Sequence, residues 1–356
     1  MSEQVARGTL KAIDMRWIGC VILLAIAGCN GQPFLGKSAP NSYRFVVAND
    51  ELYAVRHGGS YGTESGVLTT ADKGDTWTEM DAPHRTISLA GRDSQLVALT
   101  SKAELFTRDA NGTSWTRLWS DPSLRHTYDL SCALSGDIYL ATPDGIVEVS
   151  RDGSTSRKHA SPNGAMCVRS FFADDHHLVV SCNPFQVAVL DTNTKEFIGW
   201  NEGFLKLRDD GMYGPAKVKM HGTRFLASRS DGVYVADGLL QPWQLLNDEI
   251  RHEGLSGEFC RDLETFDSHE KWLVATGSGI HLMQGGTKQE TVFEDVDDDH
   301  NLILEVTPFR SQYFVSFARL KNAIGVRLAE DASEWTTLRL NAKQSETESE
   351  AADTSP

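Results

Sequence analysis

With 356 residues, 40% of them hydrophobic and 23% charged, the chain has a globular composition, and its formal charge of -15 disfavours nucleic acid and other phosphate-rich partners. Beyond Cys29 nothing approaches the roughly 20 consecutive apolar residues that a membrane-crossing helix needs. Length alone leaves one domain or two open, so internal repeats have to decide.

The chain opens with an export signal. Arg7, Lys11 and Arg16 form a basic region, residues 17–27 an apolar run too short to span a bilayer, and Ile26-Ala27-Gly28-Cys29 a small-residue processing site. Met15 is a second candidate start and would leave Arg16 as the basic residue. The four residues 26–29 resemble the bacterial lipobox. That resemblance implies cleavage after Gly28, acylation of Cys29 and a membrane anchor, with 1–28 removed as signal peptide. Asn30 rather than Asp follows, which in the enterobacterial sorting pattern points to the outer membrane, facing the periplasm or the cell surface. Residues 29–42, with two prolines and two serines, read as a flexible tether, and residues 341–356 as a disordered acidic tail without aromatics.

Between these ends, residues 43–340 repeat a short phrase. Ser65-Gly66-Val67-Leu68, Ala103-Glu104-Leu105-Phe106, Asp144-Gly145-Ile146-Val147, Phe185-Gln186-Val187-Ala188, Asp231-Gly232-Val233-Tyr234, Ser278-Gly279-Ile280-His281 and Ile324-Gly325-Val326-Arg327 align, with third positions 38, 41, 41, 46, 47 and 46 residues apart. An apolar strand precedes most copies, and a polar turn follows them. Trp77, Trp115, Trp200, Trp243 and Trp335 occupy the stretch after that turn. Each unit holds four short strands, which is the size of a propeller blade, and a blade cannot bury both faces alone. The fold expected is all-β: a single β-propeller of about seven four-stranded blades.

The turn Thr70-Ala-Asp72-Lys-Gly74-Asp-Thr76-Trp77 resembles the Asp-box (BNR repeat) of bacterial propellers. Thr107-Arg-Asp109-Ala-Asn-Gly112-Thr-Ser-Trp115 is a looser version, and Ser150-Arg-Asp152-Gly-Ser-Thr155 keeps the front half. In such a turn Asp72, Asp109 and Asp152 accept backbone hydrogen bonds, Gly74 supplies positive φ, and Trp77 and Trp115 pack, so the motif folds the blade. Sialidases, where the motif is familiar, also need an arginine triad and a Phe-Arg-Ile-Pro-like phrase. Here Phe309-Arg310-Ser311 is the nearest. Cyanobacterial photosystem II assembly factors share lipobox, size and blade count, but their repeated Gly-Trp-x-Val-Gly phrase is missing.

Cys20 and Cys29 belong to the signal, and the other four cysteines sit in an oxidising compartment. Cys167 and Cys182 flank residues 168–181 symmetrically about a turn at 173–176, which predicts a hairpin that sets them opposite each other as a disulfide. Cys132 and Cys260 read as buried apolar residues.

A binding site is expected where inter-blade connections converge at one end of the channel. The candidates are His84, Arg85, Arg125, His126, Tyr128, Lys217, Lys219, Arg251, His252, Asp299 and His300. The acidic run 297–300 lacks the alternating ligands and glycine turn of a calcium loop, so no metal is assigned. Asp174-Asp175-His176-His177 reads as a turn. No P-loop, GxSxG, HExxH or dinucleotide fingerprint follows Cys29, so neither cofactor nor nucleophile is assigned. Two readings stand: a non-enzymatic, membrane-tethered binding or assembly module for an envelope protein or glycan, or a glycan-active hydrolase or lyase of sialidase-like type.

Overall fold

A computed structural model describes residues 42–57, 66–72, 74–92, 94–109, 112–124, 126–183, 186–204, 217–229, 232–247, 262–266, 271–276, 279–284, 287–294, 303–317, 325–329 and 334–338. They form seven antiparallel four-stranded sheets, each built from four consecutive strands. Blade 1 is β1 (Ser42–Ala48), β2 (Glu51–His57), β3 (Val67–Thr69) and β4 (Thr78–Glu79). Blade 2 is β5 (Thr86–Arg92), β6 (Gln95–Thr100), β7 (Glu104–Asp109) and β8 (Thr116–Ser120). Blade 3 is β9 (Asp129–Cys132), β10 (Ile138–Thr142), β11 (Gly145–Val149) and β12 (Ser156–Ala160). After a short 3-10 turn at Pro162–Gly164, blade 4 is β13 (Met166–Phe172), β14 (His177–Asn183), β15 (Gln186–Asp191) and β16 (Glu196–Gly199). Blade 5 is β17 (Lys217–His221), β18 (Arg224–Arg229), β19 (Gly232–Ala236) and β20 (Gln244–Asn247). Blade 6 is β21 (Asp262–Phe266), β22 (Lys271–Ala275), β23 (Gly279–Gln284) and β24 (Thr287–Glu294). Blade 7 is β25 (Ile303–Phe309), β26 (Gln312–Phe317), β27 (Gly325–Leu328) and β28 (Trp335–Leu338). The architecture is a seven-bladed β-propeller.

Burial explains the sequence pattern. The second strands β6, β10, β14, β18 and β22 are buried on both faces between neighbouring blades, so they read as continuous runs such as Gln-Leu-Val-Ala-Leu-Thr rather than as alternation. The fourth strands β4, β8 and β12 are largely exposed. The core is divided among the seams. One apolar cluster fills each of the seven, from Tyr53, Val55, Leu89 and Leu96 between blades 1 and 2 to Phe45, Trp77, Phe309, Phe314 and Leu338 between blades 7 and 1. In the seam between blades 4 and 5, Trp200 and Trp243 lie 4.5 Å apart and Phe204 stacks on Trp243.

First strands of neighbouring blades touch one another from β17 through β21, β25, β1, β5 and β9 to β13 and therefore line the channel. Strand alternation then sorts the loops between two ends. First-to-second and third-to-fourth turns lie at one, the hairpin end; second-to-third turns and inter-blade connections lie at the other, the connection end. Ser42, which starts β1, and Leu338, which ends β28, both lie at the connection end.

The β13–β14 hairpin sets Cys167 directly opposite Cys182, both fully buried. Their sulfurs are 3.7 Å apart and both thiols are free, where a disulfide needs roughly 2 Å. The expected bond is thus absent here, although the pair is aligned for it. Cys132, the first-strand cysteine of blade 3, is half-buried against the seam cluster of blades 2 and 3. Cys260 lies outside the described residues.

Candidate functional site

The strongest concentration of chemistry is inside the channel. Arg44 on β1 donates through Nη1 to Asp129 on β9 and through Nε to Glu305 on β25, both at 3.0 Å. Arg169 on β13 reaches the same Glu305 with two bonds of 2.7 and 3.1 Å. Ser88 on β5 donates to Asp129 at 3.0 Å. Across the ring, Lys219 on β17 pairs with Glu264 at 3.0 Å and with Asp262 at 3.1 Å, both on β21, and donates to the Val306 carbonyl. Asp262 in turn accepts the Val306 N–H at 2.8 Å. With Lys217 beside them, four cations face four carboxylates, and together the contacts tie all seven innermost strands into one network.

Electrostatics favours the charged forms of Arg44, Glu305 and Lys219. Burial works against the Arg44 charge, but Asp129 and Glu305 outweigh it and raise its pKa. Burial likewise pushes Glu305 up, yet Arg169, Arg44 and Lys217 hold it far below the usual carboxylate range. A carboxyl so held cannot serve as a general acid near neutral pH. Lys219 is raised, because Asp262 and Glu264 overcome its desolvation. Lys217 behaves oppositely: desolvation dominates, Asp262 offsets only part of it, and its pKa falls to about 8.

The structure places the sequence-derived candidates differently. Lys217 and Lys219 belong to the innermost strand β17, not to a connection; their alternate positions turn both ammonium groups into the channel network. His84 lies in the connection from blade 1 to blade 2 and lines a shallow cavity of about 370 Å³ with Asp81, Lys102, Glu104, Phe106 and Trp115. Arg85, at φ 65°, closes that connection by accepting the Ser101 N–H on its carbonyl at 2.9 Å. His126 is exposed in the next connection, and Tyr128, whose burial raises its pKa, meets the Met166 sulfur at 3.1 Å. His84 and Tyr128 are thus held at different seams. Arg125, Arg251, His252, Asp299 and His300 lie outside the described residues, as does Cys29 with Ile26, Ala27 and Gly28. The channel set of Arg44, Asp129, Arg169, Asp262, Glu264 and Glu305 was not anticipated. Its signal is a charge flanked by apolar residues on several first strands, as in Tyr43-Arg44-Phe45 and Leu304-Glu305-Val306.

At the hairpin end, Asp72 accepts the Thr76 N–H at 2.7 Å and the Thr70 hydroxyl at 2.9 Å, while Trp77 is fully buried and donates its indole N–H to the Gly74 carbonyl. Hydrogen bonds from Thr76 hold Asp72 down to about 2. Gly74 at φ 96° leaves no room for a Cβ beside Phe314. Asp152 repeats the pattern, accepting from Ser154 and Ser150, and is likewise held at about 2. Asp109 differs: its carboxylate accepts from Gln95 of β6, and its backbone carbonyl takes the Gly112 N–H. Trp115 is half-buried, its N–H bonded to the Asp81 carbonyl and its ring beneath Arg108. Among the described residues no cluster of three or more His, Cys, Asp or Glu side chains could hold a metal ion.

No protein-family model matches the chain, and no curated protein does. Solved structures match it across most of its length. YCF48 from Cyanidioschyzon merolae superposes with TM-score 0.58 at 12% identity, covering 79% of this chain and 95% of that one. A catalytically inactive virginiamycin B lyase from Staphylococcus aureus, solved with quinupristin, gives TM-score 0.58 at 10% identity, covering 86% and 97%. The likeness is one of fold. An extracellular domain of a two component system from B. thetaiotaomicron gives TM-score 0.57 at 11% identity, covering 80% of this chain, which spans 38% of that one.

Proposed function

We propose that this chain is an exported, lipid-anchored propeller that acts as a non-enzymatic binding module for an envelope protein or a glycan. One observation carries the reading. The channel charges are spent on one another across the blades, which makes the ring rigid and leaves recognition to its surfaces. Anchoring through Cys29 is supported by the lipobox-like residues 26–29 that follow the apolar run 17–27. The turns at Asp72 and Asp152, in this reading Asp-boxes, build the opposite end. Use of the fold for peptide recognition has a precedent in a YCF48 structure bound to a D1 peptide, at 15% identity and TM-score 0.58 over 79% of this chain and 91% of that one.

The test is photocrosslinking in living cells from exposed positions at both ends, Lys102 at the connection end and Leu134 at the hairpin end. A defined adduct from either supports the module; none from both contradicts it. A second reading, a glycan-active hydrolase or lyase, has Lys217 behind it, since an amine with a pKa near 8 suits a general base. Polysaccharide turnover by the purified chain, lost in Lys217→Met, would establish that reading in place of the first.

A further inference from the structure

We infer that the cavity between blades 1 and 2 is a saccharide site, which takes a neutral sugar unit of an envelope glycan. The inference rests on the binding-module reading and adds the ligand class and the place where it is held. Two connecting segments and one strand build the cavity. Asp81 and His84 come from the connection between β4 and β5, with Pro83 between them as an apolar wall. Lys102 comes from the turn between β6 and β7, while Glu104 and Phe106, at alternate positions of β7, face the cavity together. Trp115, the residue before β8, completes the lining. Phe106 and Trp115 are half-buried against the apolar cluster of this seam, so each turns part of its ring to the cavity. The volume of about 370 Å³ falls in the range of small-ligand pockets, roughly 300–1,000 Å³.

The polar groups here are held far more loosely than those of the channel. The Glu104 carboxylate has the Thr100 hydroxyl at 3.4 Å and the Arg117 guanidinium at 3.7 Å, both at the long limit of contact. Asp81 accepts the Trp115 indole N–H at 2.7 Å on its backbone carbonyl, which leaves its carboxylate for a ligand. Lys102 bonds the Thr100 hydroxyl through its backbone N–H, and its ammonium makes no ion pair among the described residues. Carboxylates accept from hydroxyl groups and an ammonium donates to them, so the cavity can satisfy a polyol in both directions. With its N–H spent, Trp115 offers apolar ring surface, and together with Phe106 and Pro83 it suits the C–H face of a pyranose. The mixed charge selects against ions. Asp81 and Glu104 oppose an anion, while Lys102, Arg117 beside Glu104, and Arg108, 5.2 Å from the centre of the Trp115 ring, oppose a cation.

The probes are maltohexaose, cellohexaose and N-acetylchitohexaose, titrated against the full chain in detergent with isotope-labelled tryptophan. The readout is the nuclear magnetic resonance signal of the Trp115 indole N–H, assigned by its loss in Trp115→Phe. We expect at least one probe to shift that signal saturably, and Asp81→Asn with Lys102→Met to weaken its binding about tenfold or more. Both side chains are exposed, so the double variant keeps the unfolding midpoint of the wild type. Glu196→Gln, on the exposed strand β16 of blade 4, leaves binding unchanged. The inference is overturned if no probe moves the Trp115 signal, if the double variant binds as well as the wild type, or if free phenylalanine moves the signal where the sugars do not. A protein crosslink from Lys102 or Leu134 in cells, found beside any of those results, would sink the saccharide site and leave the binding-module reading standing.

Discussion

Glu305 joins three innermost strands through two arginines, and it is 90% or more buried in side-chain terms at 10% exposure. Replacing it with Gln keeps the shape and removes the charge, leaving Arg44 and Arg169 facing each other in a low-dielectric channel. We expect a loss of about 3 kcal/mol in denaturant unfolding, seen as a lower midpoint with an unchanged slope. A loss within error of zero would remove the network from the account of ring rigidity. Lys217 gives a pH signature. Its folded pKa of about 8 lies below the unfolded value of 10.5, so between those limits the unfolded chain holds a proton the folded chain has released. Stability of the wild type relative to Lys217→Met therefore rises with pH from about 8 to 10.5 and is flat below; a falling difference would contradict the assignment. These residues were hard to read from sequence because the pairs lie 85, 136 and 261 positions apart, and spacing carries no trace of such contacts. Lys217 was visible as a charge, but without strand boundaries it passed for a connection residue.

At the scale of elements, the blade period was legible because every unit repeats the same burial: a second strand enclosed by both neighbours, then a tight turn and a fourth strand at the rim. The Thr70-to-Trp77 turn was legible to the residue, since its roles follow from local geometry. Asp72 has a lowered pKa, so the stability its ionised form contributes is present above the unfolded carboxyl value of about 3.9 and fades as pH falls toward 2. Asp72→Asn should lower the thermal midpoint at neutral pH and leave it unaltered near pH 2; an equal drop at both would show that charge is not what the turn uses. The β13–β14 hairpin was equally readable. We predict that oxidation of the purified chain joins Cys167 to Cys182, detected by mass spectrometry as the loss of two hydrogens in the linked peptides and of alkylation at both thiols. Full alkylation of the denatured chain after oxidation would rule the bond out.

At the scale of the molecule, the ring closes without strand exchange among the described residues: blades 1 and 7 are each made of consecutive strands and meet through an apolar cluster and a hydrogen bond from the Thr307 hydroxyl to the Phe45 carbonyl at 3.3 Å. Gly325 permits this, because a Cβ there would strike Phe45 and the Val315 carbonyl at 2.5 Å. Phe314, fully buried between Phe45 and Phe309, is the centre of the closure. Phe314→Ala should cost roughly 3–5 kcal/mol and lower the unfolding midpoint of the entire ring; a loss below 1 kcal/mol would mean that closure depends on other contacts. The sequence pattern announced seven units but not how the first meets the last, since that seam joins residues from opposite ends of the chain. What makes the ring a presented surface, in this account, is its anchor at Cys29. The most direct measurement is membrane fractionation of cells expressing the wild type and Cys29→Ser, with labelling by a fatty-acid analogue. The account predicts a labelled, membrane-bound wild type and an unlabelled Cys29→Ser chain free of its anchor; identical fractionation and labelling of the two would contradict it.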